Sequence, residues 1–381
     1  MTDAINLTPA AQPAPAVPAA EPLALSWAQP PGLIGLSVKN FALRIATLGI
    51  YGFWGKTEVR QRIWSAIRLN GEPLQYTGTG RELFLGFLVI FGVILLPVLL
   101  VSLVVTVAFG PQSPALAAFQ LLLYVGFFYL IGVGIHRAQR YRLSRTRWRG
   151  IRGGLEGSSW AYAWTHFWTG LLIPFTLGWI APWRSTRLQG LITSGMRLGD
   201  RPFQFSARSG PLYRRFAVLW IGALVIFVAV LMGMGGLMAA VGLDAERLSR
   251  TRGNPGIGLI ALLLAVVYGS LLAGALLYGV LSAWYRAGMM NHFAAHTTFE
   301  GARFSGSATA GSLIWLTVSN TALVLFTLGL LAPLAQARAA RYFIERLSIT
   351  GTAPLAQIAQ RSADELKRGE GLAQVFDVDA F

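Results

Sequence analysis

The chain has 381 residues, of which 54% are hydrophobic and 13% charged, with no Cys; an average soluble domain is about 25% charged. Together with a mean hydropathy of +0.54, this excludes an ordinary cytosolic globular protein, a disulfide scaffold, a Cys-ligated metal centre and a catalytic thiol. Lys and Arg number 32 against 16 Asp and Glu, a surplus suited to anionic surfaces.

In chain order, residues 1–32 are Ala- and Pro-rich and lack helical or strand period, which reads as a disordered tail. They carry no basic segment followed by a compact apolar one, so no signal peptide is expected. A membrane domain over residues 33–353 follows. Four stretches in it, Leu83–Phe109, Pro114–Ile135, Phe216–Leu243 and Gly256–Trp284, contain no charged side chain. Each is long enough to span a bilayer, which takes roughly 20 apolar residues. Three further stretches, Leu33–Trp54, Trp160–Trp183 and Ser312–Ala335, are apolar but interrupted, and each holds a Thr-Leu-Gly. Residues 354–381 return to soluble composition as a cytoplasmic tail, with a short polar helix expected around Ser362–Arg368.

The interrupted stretches are copies of one another. Aligned without gaps so that Thr176 lies over Thr327, Thr146, Gly150 and Arg152 fall on Thr297, Gly301 and Arg303. Trp164 then falls on Trp315, and Ala181-Pro182 on Ala332-Pro333. Aligned so that Thr47 lies over Thr176, Trp54 falls on Trp183, Arg68-Leu69 on Arg197-Leu198, and Phe87 on Phe216. The unit is a Thr-Leu-Gly segment, a basic amphipathic stretch, a strand-like piece (Leu74–Thr77, Phe203–Ser206) and an apolar hairpin. The fold class is therefore an all-α membrane protein: a pseudo-repeated multipass helical bundle with two apolar hairpins and three Thr-Leu-Gly segments.

Charge decides how those segments run. His136–Ser159, Arg184–Arg215 and the stretch after Arg338 are Arg-rich, whereas Gly110–Ser113 has neither Lys nor Arg. If all basic connections face the cytoplasm, each Thr-Leu-Gly segment must enter and leave the membrane on one side. A Gly after Thr, followed by Pro182 or Pro333, is a place to break a helix. The rival is three plain spans, seven crossings in all. The loop Asp244–Asn254 is expected outside.

Thr47 to Trp54, the basic stretch ending in Arg60-Gln61-Arg62, and Asn70-Gly71 through Gly78-Thr79-Gly80 resemble the YjgN-like bacterial inner-membrane proteins, the DUF898 family. Asn320, Thr327-Leu328-Gly329, Arg338, Arg341-Tyr342 and Gly351 of the third copy carry the same resemblance. It covers roughly residues 35–355 and implies a multipass protein of the bacterial inner membrane, without supplying an activity. The second copy has Trp179 where the family pattern has Tyr, and the third has Leu330-Leu331 with no Trp.

Candidate chemistry is sparse. His292, His296 and Glu300 stand at helical spacing, which suits a metal only if the helix continues to Glu300; an interfacial helix is the plainer reading. No P-loop and no Ser/His/Asp set is present, so neither an enzyme nor a cofactor is expected. Asn40, Thr47, Gly49, His166, Thr176, Gly178, Asn320, Thr327 and Gly329 are the candidates for a solute path or a structural break. His166, among Trp160, Tyr162, Trp164 and Trp168, also suits an interfacial aromatic belt. Lys39 and Arg44 can snorkel to headgroups. Arg140, Arg142, Arg145, Arg147 and Arg149 are the candidate contacts to anionic lipid. Gly233, Gly235, Gly236, Gly242, Gly269, Gly274 and Gly279 suggest close helix packing. The expected partners are the bilayer and a second copy of the chain, not nucleic acid. Two functions stay open: a permease or channel-like protein for a small solute, and a non-transport scaffold that binds anionic lipid or partner membrane proteins.

Overall fold

The computed structural model describes residues 21–240 and 257–358. The outer loop at Asp244–Asn254, Gly242 and the helix expected at Ser362–Arg368 lie outside them. Among the described residues, four helices are long and apolar enough to cross a membrane: α3 (Gly80–Phe109), α4 (Pro114–Ser144), α7 (Gly210–Ala240) and α8 (Ile257–Ala295). They contain the described residues of the four uncharged runs and extend beyond them at the basic end. Hydroxyl caps start two of them, with Thr79 accepting from Glu82 N–H and Ser113 from Leu116 N–H, which satisfies N–H groups left free at a helix start. A π turn at Phe91–Leu95 just precedes Pro97 in α3, where a regular ladder would have lost a bond to the proline.

Each Thr-Leu-Gly segment is a helical hairpin. Hairpin 1 is α1 (Leu33–Ala46) and α2 (Gly52–Ala66). Hairpin 2 is α5 (Ser159–Phe175) and α6 (Ala181–Thr193). Hairpin 3 is α9 (Ala310–Phe326) and α10 (Ala332–Arg346). The segments therefore turn back, and none of the three crosses as a plain span.

Both ends of every hairpin join β-strands. The strands are β1 (Glu21–Pro22), β2 (Leu25–Trp27), β3 (Ile67–Leu69), β4 (Glu72–Pro73), β5 (Gln75–Tyr76), β6 (Thr146–Trp148), β7 (Ile151–Leu155), β8 (Met196–Leu198), β9 (Arg201–Phe205), β10 (Thr297–Phe299), β11 (Ala302–Gly306), β12 (Leu347–Thr350) and β13 (Thr352–Ala353). Strands β5 to β12 form an eight-stranded sheet in reverse chain order, and β2-β3-β4 a three-stranded one. All pairs are antiparallel. Since β4 runs into β5 and β2 lies against β12, the two sheets wrap into a barrel. Its core gathers Leu69, Trp148, Leu198, Phe203, Phe299 and Ile349 around Ala302 and Ala353. Type I′ geometry is set by positive φ at Asn70-Gly71 and Arg149-Gly150, which twists as the flanking strands do.

The barrel was not legible as such, because its strands are two to five residues long. It also corrects the tail: residues 21–32, assigned to it by composition, contain β1 and β2, and β2 pairs with β3 through Leu25–Leu69 and Trp27–Ile67.

Among the described residues the basic connections meet at the barrel, so it occupies the side that the positive-inside rule assigns to the cytoplasm. Above it the helices form a ring. Contacts run from α2 to α3, α4 to α5, α6 to α7, α8 to α9, and α10 back to α1 and α2. Hairpins 1 and 2 are each followed by a spanning pair. Hairpin 3 instead packs straight onto hairpin 1.

The glycine reading needs correction. A Cβ on Gly233, Gly235, Gly236, Gly269 or Gly279 would meet nothing within 4 Å, and of that set Gly274 alone is tight, against Val230 at 2.9 Å. Close helix approaches occur at Gly132, where a Cβ would stand 2.7 Å from Ala163 Cα, and at Gly222, where one would stand 2.5 Å from a Leu281 methyl.

Candidate functional site

The three turns share one construction. Thr47 Oγ1 donates to the Leu43 carbonyl at 2.7 Å and accepts from the Tyr51 N–H at 2.9 Å. Thr176 does the same with Leu172 and Ile180 (2.9 and 3.4 Å), and Thr327 with Leu323 and Leu331 (2.6 and 3.2 Å). One hydroxyl thus adds a second bond to a carbonyl ending the first helix, which also takes the threonine's own N–H, and satisfies an N–H opening the second helix. Gly49, Gly178 and Gly329 then donate back to Arg44, Ile173 and Val324 at 2.7–2.8 Å, while Leu48, Leu177 and Leu328 donate to Ile45, Pro174 and Leu325. This is a Schellman closure with leucine where glycine is usual: φ is 50°, 48° and 50° at the three leucines. Left-handed backbone costs a non-glycine about 1–2 kcal/mol.

The side chains at these turns face outward. Leu48, Leu177 and Leu328 are 95%, 70% and 86% exposed, and exposed Ile45, Phe175 and Phe326 flank them. Placing one such leucine in hydrocarbon is worth about 1.5–3 kcal/mol. At hairpin 2 the tip is fixed against α7, where Trp220 Nε1 donates to the Leu177 carbonyl at 2.7 Å. Trp220 lies five residues beyond Arg215, about 7 Å along the helix. That tip reaches just past the charged end of α7.

The paired helices of a hairpin are tied across equivalent positions. Asn40 Nδ2 donates to the Gly55 carbonyl at 3.4 Å, and Asn320 Nδ2 to the Ala335 carbonyl at 3.1 Å. Lys39 and Glu58 pair at 2.9 Å, and their counterparts in hairpin 3 are Ser319 and Arg338, joined at 2.8 Å. The bonds to Glu58 and then to Tyr51 raise the Lys39 ammonium above its usual range. Thr47, Gly49, Thr176, Gly178, Thr327 and Gly329 are therefore the structural breaks themselves.

A cavity of about 360 Å³ lies where hairpin 3 meets hairpin 1. Asn40, Arg44, Lys56, Arg60 and Gln336 give it a polar lining, Phe41, Phe53 and Leu330 an apolar one, and Gly49 and Gly329 mark its tip end. Asn40 Oδ1 is buried there and takes no hydrogen bond among the described residues. Lys56 and Gln336 were not singled out in the sequence. A position-by-position comparison of the three copies would have found them.

With this geometry in place, the comparisons with known proteins can be stated. The family described as "Bacterial protein of unknown function (DUF898)" matches residues 31–375. The chain belongs to the DUF898 family. It is also 40% identical over 52 residues to the protein named "Inner membrane protein YjgN" of Salmonella typhimurium (strain LT2), a stretch covering 14% of this chain and 13% of that protein. No solved structure matches.

In this DUF898 chain the remaining candidates are dispersed. His166 does not reach the seam. It is buried between α4 and α5, with its ring 5.8 Å from Phe128 and 6.4 Å from Tyr162. His136, buried one level below, bonds Ser159 at 3.0 Å. Most of the arginine set is engaged within the protein. Arg140 donates to the Gly157 carbonyl, Arg145 pairs with Glu82 and Arg149 with Glu72, both at 3.0 Å, and Arg142 is half-buried. Arg147 is exposed on β6. His292 bonds the Arg208 carbonyl and His296 the His292 carbonyl, both at 2.8 Å. The helix ends at Ala295, so Glu300 sits in a strand turn beside Arg201, and the three do not converge.

Proposed function

We propose that this protein is a non-enzymatic scaffold of the bacterial inner membrane that engages lipid of the cytoplasmic leaflet through its three hairpin tips and carries the barrel beneath them. The carrying observation is the threefold recurrence of a strained, outward-facing leucine at the same turn. The printed name of the Salmonella relative and the basic side of the bundle support the inner membrane. A tip that meets α7 five residues past Arg215 suits insertion into one leaflet. The other reading, a permease or channel for a small solute, rests on the polar cavity between hairpins 1 and 3. It is the weaker one, since a path from that cavity would have to continue past spanning runs without a charged side chain.

The test is depth-resolved quenching. Leu48→Cys, Leu177→Cys and Leu328→Cys, each carrying a bimane, go into vesicles of lipids brominated near the headgroup or near the acyl end. All three should be quenched most by the shallow bromines, and Val104→Cys on α3 supplies a lipid-facing control. Tips unquenched by either lipid while Val104→Cys responds would overturn the proposal. Solute uptake into the same vesicles would favour the permease.

A further inference from the structure

We propose that the cavity between hairpins 1 and 3 is a binding site for a phosphate group, filled by the phosphodiester of an anionic phospholipid. This rests on the leaflet-engaging reading and names the ligand of one place in it.

The first argument is the difference between copies. The three hairpins share a backbone plan, so equivalent positions should carry similar residues unless one copy does something more. Arg44 corresponds to Ile173 and Val324, Lys56 to Ser185 and Gln336, and Arg60 to Gln189 and Ala340. The three cations stand in copy 1 alone, and all three line the cavity. Neither the turn nor the cross-hairpin ties need them, because hairpins 2 and 3 form without them.

The second argument is charge balance. Among the described residues the lining contains no carboxylate. Glu58, the acidic residue of α2, is taken up by Lys39 and by the Tyr51 hydroxyl at 2.9 Å. Arg60 is held by the Tyr76 hydroxyl at 3.2 Å. Arg44 and Lys56 have no ion-pair partner among the described residues. Gathered cations without counter-charge favour an anion, and guanidinium and ammonium donors suit phosphate oxygens.

The third argument is position and size. At about 360 Å³ the cavity falls in the range of about 300–1,000 Å³ typical of small-molecule sites. Its tip end reaches Gly49 and Gly329, next in sequence to the exposed Leu48 and Leu328, and Phe41, Phe53 and Leu330 line its wall. A headgroup held by the cations would leave its acyl chains beside these apolar side chains. A free phosphate would use the cations alone.

Calorimetry on the full chain in detergent micelles separates the sources, with dihexanoyl-phosphatidylglycerol, dihexanoyl-phosphatidylcholine and inorganic phosphate as probes. Phosphatidylglycerol should bind once per chain and phosphatidylcholine far more weakly. The double variant Arg44→Gln/Lys56→Gln should bind phosphatidylglycerol about 30-fold less tightly, as expected for two near-surface cations, and Arg147→Gln should match the wild type. Inorganic phosphate binding as tightly as the lipid would keep the phosphate site but make its ligand a solute. Unchanged affinity in the double variant, or equal binding of phosphatidylcholine, overturns the proposal. If the double variant does not fold, acylation of the wild-type lysines gives the answer: phosphatidylglycerol should slow modification of Lys56 relative to Lys39, and equal rates would reject the site. Quenching at Leu328→Cys in the double variant separates this failure from failure of tip insertion, which does not need the two cations.

Discussion

Asn40 and Asn320 hold the same place in two hairpins, and each reaches across with its amide to a backbone carbonyl of the facing helix, Gly55 at 3.4 Å and Ala335 at 3.1 Å. The receiving residues are small, so the helices approach closely; a Cβ on Gly55 would stand 3.3 Å from the Asn40 amide. In hairpin 2 the equivalent of Asn is Thr169, fully buried, whose hydroxyl turns back to the Thr165 carbonyl at 2.5 Å instead. Hairpins 1 and 3 thus carry a polar tie that hairpin 2 lacks. Asn320→Ala should destabilise the protein by about 1 kcal/mol through the lost bond, since the Ala335 carbonyl lies inside α10 and keeps its helical partner. Thr169→Ala should cost less than Asn320→Ala. The comparison is read from unfolding midpoints in a denaturing-detergent titration, and equal losses would refute the tie.

The threonine at each turn is a stronger dependency, because its hydroxyl serves two backbone groups at once. Thr327→Val keeps the shape and removes both bonds, to Leu323 and from Leu331. The Leu323 carbonyl keeps the residue-327 N–H at 3.3 Å, so the Leu331 N–H is the group left unpaired, and a loss of about 1–2 kcal/mol is expected. Thr327→Ser restores the hydroxyl and should recover most of it. Recovery failing with Ser would mean that the methyl, not the hydroxyl, matters there.

These ties explain which parts of the structure were legible in the sequence. Spanning helices declare themselves through uncharged length, and the hairpins through the clash between three apolar segments and their basic flanks on one side. Asn40 and Asn320 were recognisable as equivalents because the repeat put them in register. The barrel was hidden for a physical reason: its local hairpins are very short, and they join one another only across long sequence separations, as β2 and β3 do from either side of hairpin 1. Residues such as Leu23 and Trp27 carry no period long enough to separate them from the Ala/Pro tail. The arginines near 140–149 were legible as basic but not as engaged, since Glu72 and Glu82, which hold Arg149 and Arg145, lie far off in sequence. The cavity needed tertiary information, because its two walls come from opposite ends of the chain.

The barrel rests on Trp148. Its side chain is 1% exposed, packs with Leu23, Phe299 and Ala302, and donates from Nε1 to the Leu69 carbonyl at 3.2 Å. Trp148→Ala should destabilise by about 3–5 kcal/mol, as large-to-small core changes do. Because every hairpin ends on barrel strands, the loss should also expose the strand segments to protease while the spanning helices stay protected. Limited proteolysis of membranes containing the variant reads this out. Unaltered protection of residues 146–155 would show that the strands do not depend on this core.

The arrangement of the whole chain turns on the side at which the hairpins begin and end. Gln112, exposed between α3 and α4, and Gln204, exposed on β9, lie at opposite ends of the spanning helices. A natural chain without Cys makes the measurement simple. In intact cells a membrane-impermeant maleimide should label Gln112→Cys and leave Gln204→Cys untouched until lysis. The sign follows from charge: the Gly110–Ser113 connection has no Lys or Arg, whereas the connections around β9 carry Arg197, Arg201 and Arg208, and such residues are retained on the cytoplasmic side. Labelling of both positions in intact cells would require hairpin 2 to cross the membrane. That outcome is incompatible with β7 and β8 pairing through Gly153–Leu198 and Leu155–Met196, because these strands flank hairpin 2 and cannot pair from opposite faces of a bilayer.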